Sequence, residues 1–163
     1  MKPLTAEYVR SFLNYDSKTG IFIWIAPRYG ITVGKIAGSS HHSGYRTIRM
    51  NGKVYQQHRL AWLYITGKWP DGEIDHINCV RSDNRFANLR VVTKTINLQN
   101  RKRSRVDNKS GLLGVGYFAP NNKWRARIQV NGKQIYLGHH ATKELAHAAY
   151  LEAKRRLHKG NTL

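Results

Sequence analysis

The sequence predicts an α+β chain built from two small modules, and three features of its patterning support this. Residues 71–100 are typical of a strand, a polar loop, a second strand and a helix. Residues 124–137 alternate apolar and polar side chains across an Asn-Gly turn, as a tight antiparallel hairpin does. Residues 142–158 then place apolar side chains on one stripe of a helix that can cover the hairpin.

The N-terminal elements follow from caps and turns. Thr5 can cap a short helix, and the apolar run Ile21–Ile25 is typical of a buried strand. Asn51-Gly52 predicts a hairpin turn between two strands, because this pair readily adopts positive φ. His58–Thr66 has helical spacing of apolar residues and stops at Gly67. His58, at the start of that helix, is expected to be a hydrogen-bonded helix-end residue outside any site.

Basic residues greatly outnumber acidic residues in this sequence. The 163 residues include 28 Lys and Arg against 9 Asp and Glu, a formal net charge of +19. No acidic residue occurs from Ser17 to Pro70 or from Asn108 to Lys143. Such stretches present positive potential to a polyanion, so nucleic acid is the expected partner. Four of the nine acids fall within thirteen residues, where they could hold a cation: Asp71, Glu73, Asp75 and Asp83.

Other classes of protein are not supported. The longest apolar run, Ile21–Ala26, is far short of the roughly 20 residues that a membrane helix needs. The N-terminus lacks the apolar core of a signal peptide, so we expect a cytoplasmic protein. The single cysteine, Cys79, excludes an intramolecular disulfide and paired cysteine knuckles. We therefore expect no structural zinc and no membrane association.

Four runs of residues together resemble a known family. They are HRLAW from His58, IDHIN around His76, DNRFANLR around Asn88 and TKTINLQN around Asn97. The set, spread over residues 1–100, resembles the HNH endonucleases of the ββα-metal fold, in particular the phage and intron-encoded, homing kind. The resemblance implies that His76 is the first histidine, Asn88 the central asparagine, and Asn97 a replacement for the last histidine. This pattern is the H-N-N variant.

The chemistry of these residues agrees with that resemblance. Hydrolysis of a phosphodiester needs a nucleophile made from water and a cation that offsets developing charge. Asp75 and Asn97 offer two hard oxygen ligands, which suit Mg²⁺ or Mn²⁺. His76, with an unperturbed pKa of about 6.5, can accept a proton from water near neutral pH. The predicted catalytic residues are therefore Asp75, His76 and Asn97, with Asp75 and Asn97 as metal ligands.

The predicted strand raises a geometric difficulty. Neighbouring residues of a regular strand point to opposite faces, so Asp75 and His76 could not both face one phosphate. We expect the strand to end or twist there, with His76 at the start of the loop and its ring held by a backbone carbonyl. Asn84 and Asn88 are expected to be structural, because asparagine stabilises loops by bonding nearby backbone.

The second module is predicted to bind DNA through its sheet. Register from the Asn131-Gly132 turn sets Ile128 opposite Ile135 and Ala126 opposite Leu137, both on the packing face. A small three-stranded antiparallel sheet packed on one helix resembles the plant apetala or ethylene-response-factor type of DNA-binding domain. The first strand lacks the arginines of plant members. The resemblance implies DNA contacts from the opposite face, by Arg125, Arg127, Gln129 and Tyr136.

The predicted organisation has an HNH module with a β-rich extension at 1–100, a basic linker at 101–110 and an apetala-type domain at 111–163. Arg101 and Arg103 of the linker are expected to track phosphates. The expected function is a metal-dependent endonuclease that nicks double-stranded DNA, without a small-molecule cofactor, as a monomer. A dimer, which could cut both strands, stays open. So do an inactive DNA-binding regulator and a structure-specific or RNA-directed nuclease.

Overall fold

The computed structural model describes residues 4–104 and 106–162 and divides the chain into two compact units, residues 1–93 and 94–163. The described residues form a mixed α/β structure with small antiparallel sheets and four helices. Arg105, one of the basic residues of the predicted linker, lies outside the described residues.

The first unit begins with helix α1 (Ala6–Phe12), capped by Thr5, whose hydroxyl accepts a hydrogen bond from the Tyr8 amide. A two-stranded hairpin follows, then a three-stranded sheet in which Asn51-Gly52 forms the predicted turn at φ of 48° and 74°. The strands are β1 (Leu13–Asp16), β2 (Ile21–Trp24), β3 (Ser39–Ser40), β4 (Arg46–Met50) and β5 (Lys53–Gln56).

Helix α2 (Gln57–Thr66) starts directly after β5 and ends at Gly67, which adopts the left-handed conformation. The hairpin of β6 (Glu73–His76) and β7 (Leu89–Val92) follows, with Asp75 opposite Arg90 and His76 opposite Leu89. Ile74 and Leu89 anchor this hairpin in the same apolar core as Leu60 of α2. The hairpin and α2 therefore share one apolar core.

The second unit contains helix α3 (Lys94–Gln99), strands β8 (Val115–Phe118), β9 (Lys123–Val130) and β10 (Lys133–His140), and helix α4 (Lys143–Leu157). The three strands form the predicted antiparallel sheet with β9 in the middle. Thr142 caps α4 by accepting a hydrogen bond from the Leu145 amide at 3.2 Å. Ala126 and Ile128 of β9 are buried, and Ala146, Tyr150 and Ala153 of α4 pack against this side of the sheet.

The boundary between the units falls after Thr93, whereas the sequence analysis set it after Asn100. The C-terminal end of the chain contacts α3: the Gly160 amide donates to Gln99 Oε1 at 3.0 Å, and the Lys154 ammonium donates to the Arg101 carbonyl. Gly160 lies so close to α3 that a Cβ atom at this position would be 2.2 Å from the Ile96 carbonyl oxygen. These contacts join different ends of the second unit, and no sequence period signals them.

The predicted register of the second hairpin is correct near the turn and wrong further along. Ile128 pairs with Ile135 and Arg127 with Tyr136, but a bulge then shifts the strands so that His139 faces Arg125. Gly138 lies within the bulge at a φ of 106°, a conformation that glycine adopts without strain. Leu137 and Gly138 together lie opposite Ala126 in this bulge, so the expected one-to-one pair of Ala126 with Leu137 does not form. Ile135, expected in the core, is 39% exposed on the edge strand β10.

Across residues 4–104 and 106–162, no helix combines the length and apolar character needed to span a membrane.

Gly38 is expected to be essential for the packing of α2. Its φ is +89°, and a Cβ there would lie 2.3 Å from the Thr47 carbonyl oxygen and 2.6 Å from Gln57 Nε2. Gly34 has a similar φ of +86° with no atom within 4 Å of the added Cβ, which makes it a matched control.

We predict that Gly34→Ala lowers the free energy of unfolding by about 1–2 kcal/mol, the cost of a left-handed residue with a side chain. Gly38→Ala should cost roughly 1–3 kcal/mol more, because overpacking adds to the same backbone strain. Denaturant unfolding of both variants measures the difference. Equal losses would contradict the packing described around Gly38.

Candidate functional site

His76 is the last residue of β6 and faces the interior of the first unit. Its side chain is 4% exposed, and it lies on the same strand face as the core residue Ile74. Its Nε2 atom lies 3.1 Å from the side-chain oxygen of Asn84, a residue that is 1% exposed. The expectation that a backbone carbonyl holds this ring is therefore wrong at Nε2: the amide of Asn84 occupies that position.

Two aromatic rings border His76. The His58 ring is set edge-on to it with centroids 5.0 Å apart, and the Tyr45 ring lies 5.8 Å away. His58 and Tyr45 also contact each other at 5.1 Å. His58 is 5% exposed, and its Nδ1 atom is buried with no hydrogen-bond partner among the described residues. The hydrogen bond expected for His58 is therefore not made at Nδ1, and its ring lies against the predicted base His76.

Burial controls the charge of both histidines. It lowers the pKa of His58 to about 3, with the neighbouring His76 and Arg59 acting in the same direction. Burial also lowers the pKa of His76, although the hydrogen bond to Asn84 and the nearby Asp75 carboxylate oppose it. Both rings are therefore neutral at pH 7, and His76 has a lone pair that can accept a proton.

Asp75 lies on the opposite face of the hairpin from His76. Asp75 is 5% exposed, and its carboxylate accepts a hydrogen bond from Arg90 Nε at 2.9 Å and forms an ion pair with Arg90 Nη2 at 2.7 Å. Arg90 is its direct partner on β7. The strand ends at His76, directly before the loop, as expected. The regular register runs through both residues, so Asp75 and His76 keep the opposite faces that alternation gives them.

Asn88 organises the loop that leads from His76 to β7. Its side-chain oxygen accepts from the Asn78 amide at 3.0 Å, and its Nδ2 donates to the Asp83 carbonyl at 2.8 Å. The Asp83 carboxylate pairs with Arg85 and accepts from Asn78, and these contacts lower its pKa to about 2. Asp83, one of the four clustered acids, is thus engaged within the loop.

Asn97 lies on α3 in the second unit, where its side chain is half-buried. Its pairing with Asp75 around a cation stays a prediction. Within the described ranges, no group of three or more His, Cys, Asp or Glu side chains could hold a metal ion.

The predicted DNA-contacting residues of β9 and β10 share one face of the sheet. Arg127 is opposite Tyr136 and donates to Gln134 Oε1 at 3.2 Å. Arg125 stacks its guanidinium 5.2 Å from the centre of the Phe118 ring. Gln129 and Tyr136 are exposed, the latter by 57%. Arg101 and Arg103 of the predicted linker are also exposed.

Gln57 is a site residue that the sequence analysis missed. It is 1% exposed and connects Asn84 to the Ala37 carbonyl. A helical signal was available: Leu60 and Ala61 belong to the buried stripe of α2, and the position three or four residues earlier is Gln57. Extending the apolar stripe back by one turn would have placed Gln57 in the interior.

The lowered pKa of His58 predicts a loss of stability in mild acid. An unfolded histidine binds a proton below about pH 6.5, whereas folded His58 does so only near pH 3. Between these values the unfolded state binds more protons, so the free energy of unfolding falls as the pH falls. For one such histidine the loss between pH 7 and pH 5 is about 2 kcal/mol.

His58→Met should reduce this pH dependence by about that amount, because the titrating ring is gone. Urea unfolding of the full chain at pH 7 and pH 5, followed by tryptophan fluorescence, measures it. His42→Met is the control, since His42 is exposed. An unchanged pH dependence in His58→Met would show that His58 is not held neutral by the fold.

Comparison with known proteins bears on the same segment. No curated protein and no solved structure matches the chain. Residues 55–99 match a family model described as HNH endonuclease. The match takes in α2, both strands of the β6–β7 hairpin, the loop between them and α3. The match covers less than half of the chain and supports an HNH nuclease in this segment.

Proposed function

We propose that the chain is a metal-dependent HNH endonuclease of the H-N-N type that nicks double-stranded DNA. The observation that supports this most directly is the buried, neutral His76 within the matched segment, next in sequence to the carboxylate of Asp75. A water molecule attacking a phosphodiester needs such a base, and a basic chain of net charge +19 suits a polyanionic substrate. A monomer with one such site per chain cuts one strand.

The donor chemistry fits a hard divalent cation. Asp75 supplies a carboxylate and Asn97 an amide oxygen, and Mg²⁺ often takes few protein ligands beside water and substrate phosphate. When bound, Mg²⁺ or Mn²⁺ would offset the charge that develops on the phosphate and the leaving oxygen. Arg90 Nε donates to the Asp75 carboxylate and Arg90 Nη2 forms an ion pair with it, so this partner on β7 orients the Asp75 side chain.

His76 accepts the proton of the attacking water in the proposed mechanism. Its ring is fixed at Nε2 by Asn84 and bordered by His58 and Tyr45. A ring that is held in one orientation does not need to be ordered when the substrate arrives. Asn88 contributes by holding the loop between the two strands in place.

The sheet of the second unit is proposed to bind the duplex. Arg125, Arg127, Gln129 and Tyr136 share the face that α4 does not cover. Guanidinium and amide groups on such a face can donate to base edges in the major groove. The exposed Arg101 and Arg103 are proposed to contact phosphates, which adds affinity without sequence preference.

A DNA-binding regulator without nuclease activity is the second candidate. It is favoured by one observation, the pairing of Asp75 with Arg90 at 2.7 Å, which neutralises the proposed metal ligand. The two candidates differ in a simple assay. A nuclease nicks supercoiled plasmid when Mg²⁺ is present, whereas the regulator binds the same DNA and leaves it intact.

Replacing the proposed base should separate cleavage from binding. We predict that His76→Ala lowers the rate of plasmid nicking at least about 100-fold, the scale of a general base, with little change in DNA affinity. Nicking on gels and binding by fluorescence anisotropy measure the two effects. His42→Ala, at an exposed histidine of the same unit, should match the wild type. Undiminished nicking by His76→Ala would refute the role of His76.

Replacing the arginines of the sheet should weaken DNA binding. We predict a loss of roughly 1–3 kcal/mol for each of Arg125→Ala and Arg127→Ala if the side chain reads a base. The control is Arg155→Ala with Arg156→Ala, which removes the same charge from exposed positions of α4. Titrations at two salt concentrations distinguish base contacts from general attraction. Affinity and salt dependence equal to the control's would exclude the proposed surface.

A further inference from the structure

A directed chain of hydrogen bonds runs through the interior of the first unit and ends at His76. Gln57 Nε2 donates to the Ala37 carbonyl at 2.8 Å. Gln57 Oε1 lies 3.1 Å from Asn84 Nδ2, and Asn84 Oδ1 lies 3.1 Å from His76 Nε2. Gln57, Asn84 and His76 are at most 4% exposed, so bulk water does not compete for these bonds.

The donors and acceptors of this series of hydrogen bonds can be arranged in only one consistent direction. A backbone carbonyl accepts hydrogen bonds and never donates them, so the Ala37 carbonyl requires the NH₂ group of Gln57 to face it. The Gln57 oxygen must then accept from the NH₂ group of Asn84. The oxygen of Asn84 is left facing His76, and it too can only accept. His76 Nε2 must therefore bear the proton, and in the neutral ring the lone pair belongs to Nδ1.

The backbone beside both amides of this series of hydrogen bonds is closely packed. Tyr15 Oη donates to the Asn84 carbonyl at 2.6 Å, which fixes the main chain of this residue. A Cβ at Gly20 would lie 2.5 Å from the Arg85 amide nitrogen, so the β1–β2 turn lies directly against the loop at Asn84. At the other end, Gly38 lies directly beside Gln57. This close packing restricts rotation of the side-chain amides of Asn84 and Gln57.

We propose that Gln57 and Asn84 are positioning residues that hold His76 as the Nε2–H tautomer, so that Nδ1 is the atom that accepts the proton from water. This inference rests on the proposed function, because it assigns a role within the same reaction. Neither residue touches the substrate in this scheme; each acts through the ring. Asn84 differs from the carboxylate that often orients a catalytic histidine, because an amide fixes the tautomer without adding charge.

The tautomer can be measured without DNA or metal. Long-range ¹H–¹⁵N spectra of protein labelled at its histidine rings distinguish a protonated nitrogen from one with a lone pair. The chain has eight histidines, so the signals of His76 are identified by their absence in His76→Ala. At a pH where the ring is neutral, the wild type should show a single tautomer with the proton on Nε2. A proton on Nδ1, or a mixture of tautomers, would overturn the inference.

Two substitutions test the chain of bonds itself. Gln57→Met keeps the shape but removes the groups that orient Asn84, so the amide can turn and a mixture of tautomers is expected. Gln57→Glu is the conservative counterpart: burial favours the neutral carboxylic acid, which can donate to Ala37 and accept from Asn84. It should retain the Nε2–H tautomer. Asn14→Leu, at an exposed asparagine of β1, is the control. A single Nε2–H tautomer in Gln57→Met would overturn the inference.

The catalytic consequence is measured separately. Gln57→Met should lower kcat for plasmid nicking by roughly 10- to 100-fold, as loss of an orienting partner does. The Kd for DNA should not change, and Gln57→Glu should recover most of the rate. A shifted tautomer with unchanged kcat would overturn the positioning role. If the wild type binds DNA but never nicks it with Mg²⁺ or Mn²⁺, the proposed function fails, and the spectra alone decide the tautomer.

Discussion

The donation from Gln57 to the Ala37 carbonyl is the constraint on which the rest of the site depends. Without this constraint, the side-chain amides of Gln57 and Asn84 could both rotate by half a turn. Every donor and acceptor in the series of hydrogen bonds would then be exchanged. A main-chain carbonyl at one end removes that freedom, because the turned arrangement would set two oxygen atoms against each other in a buried space. A feature of the backbone near β3 thus determines which nitrogen of a distant histidine bears a proton.

In the hairpin of β6 and β7, a carboxylate and a neutral histidine are neighbours in sequence but lie on opposite faces. His76 lies on the face that packs against α2, where burial and an amide partner keep the ring neutral. Asp75 lies on the other face, where Arg90 pairs with its carboxylate. Alternation along the strand sets these two neighbours on opposite faces. The proposed base and the proposed metal ligand therefore have different surroundings, one packed in the core and the other paired with Arg90.

Local signals in the sequence predicted much of the fold. Thr5 and Thr142 cap helices as expected, and the turns at Asn51-Gly52 and Asn131-Gly132 set the hairpins. The partners of His76 could not be predicted in this way. Asn84 and Gln57 are 27 residues apart, and Gln57 and Ala37 are 20 apart. Hydrogen bonds over such separations follow from packing of the core and leave no period in the sequence. The bulge at Gly138 was missed for a related reason, since alternation looks regular on both sides of it.

The bulge also affects how the second unit would meet DNA under the proposed function. Beyond the bulge His139 lies opposite Arg125, whose guanidinium stacks on Phe118, and Arg127 donates a hydrogen bond to Gln134 on the next strand. A guanidinium held by an aromatic ring or by a cross-strand amide loses less conformational freedom on binding than a free side chain does. The exposed Arg101 and Arg103 have no comparable support among the contacts described for them, so they suit phosphates, which tolerate variation in position. Restraint of Arg125 and Arg127 before binding therefore favours base readout by the sheet and general attraction by residues 101–103.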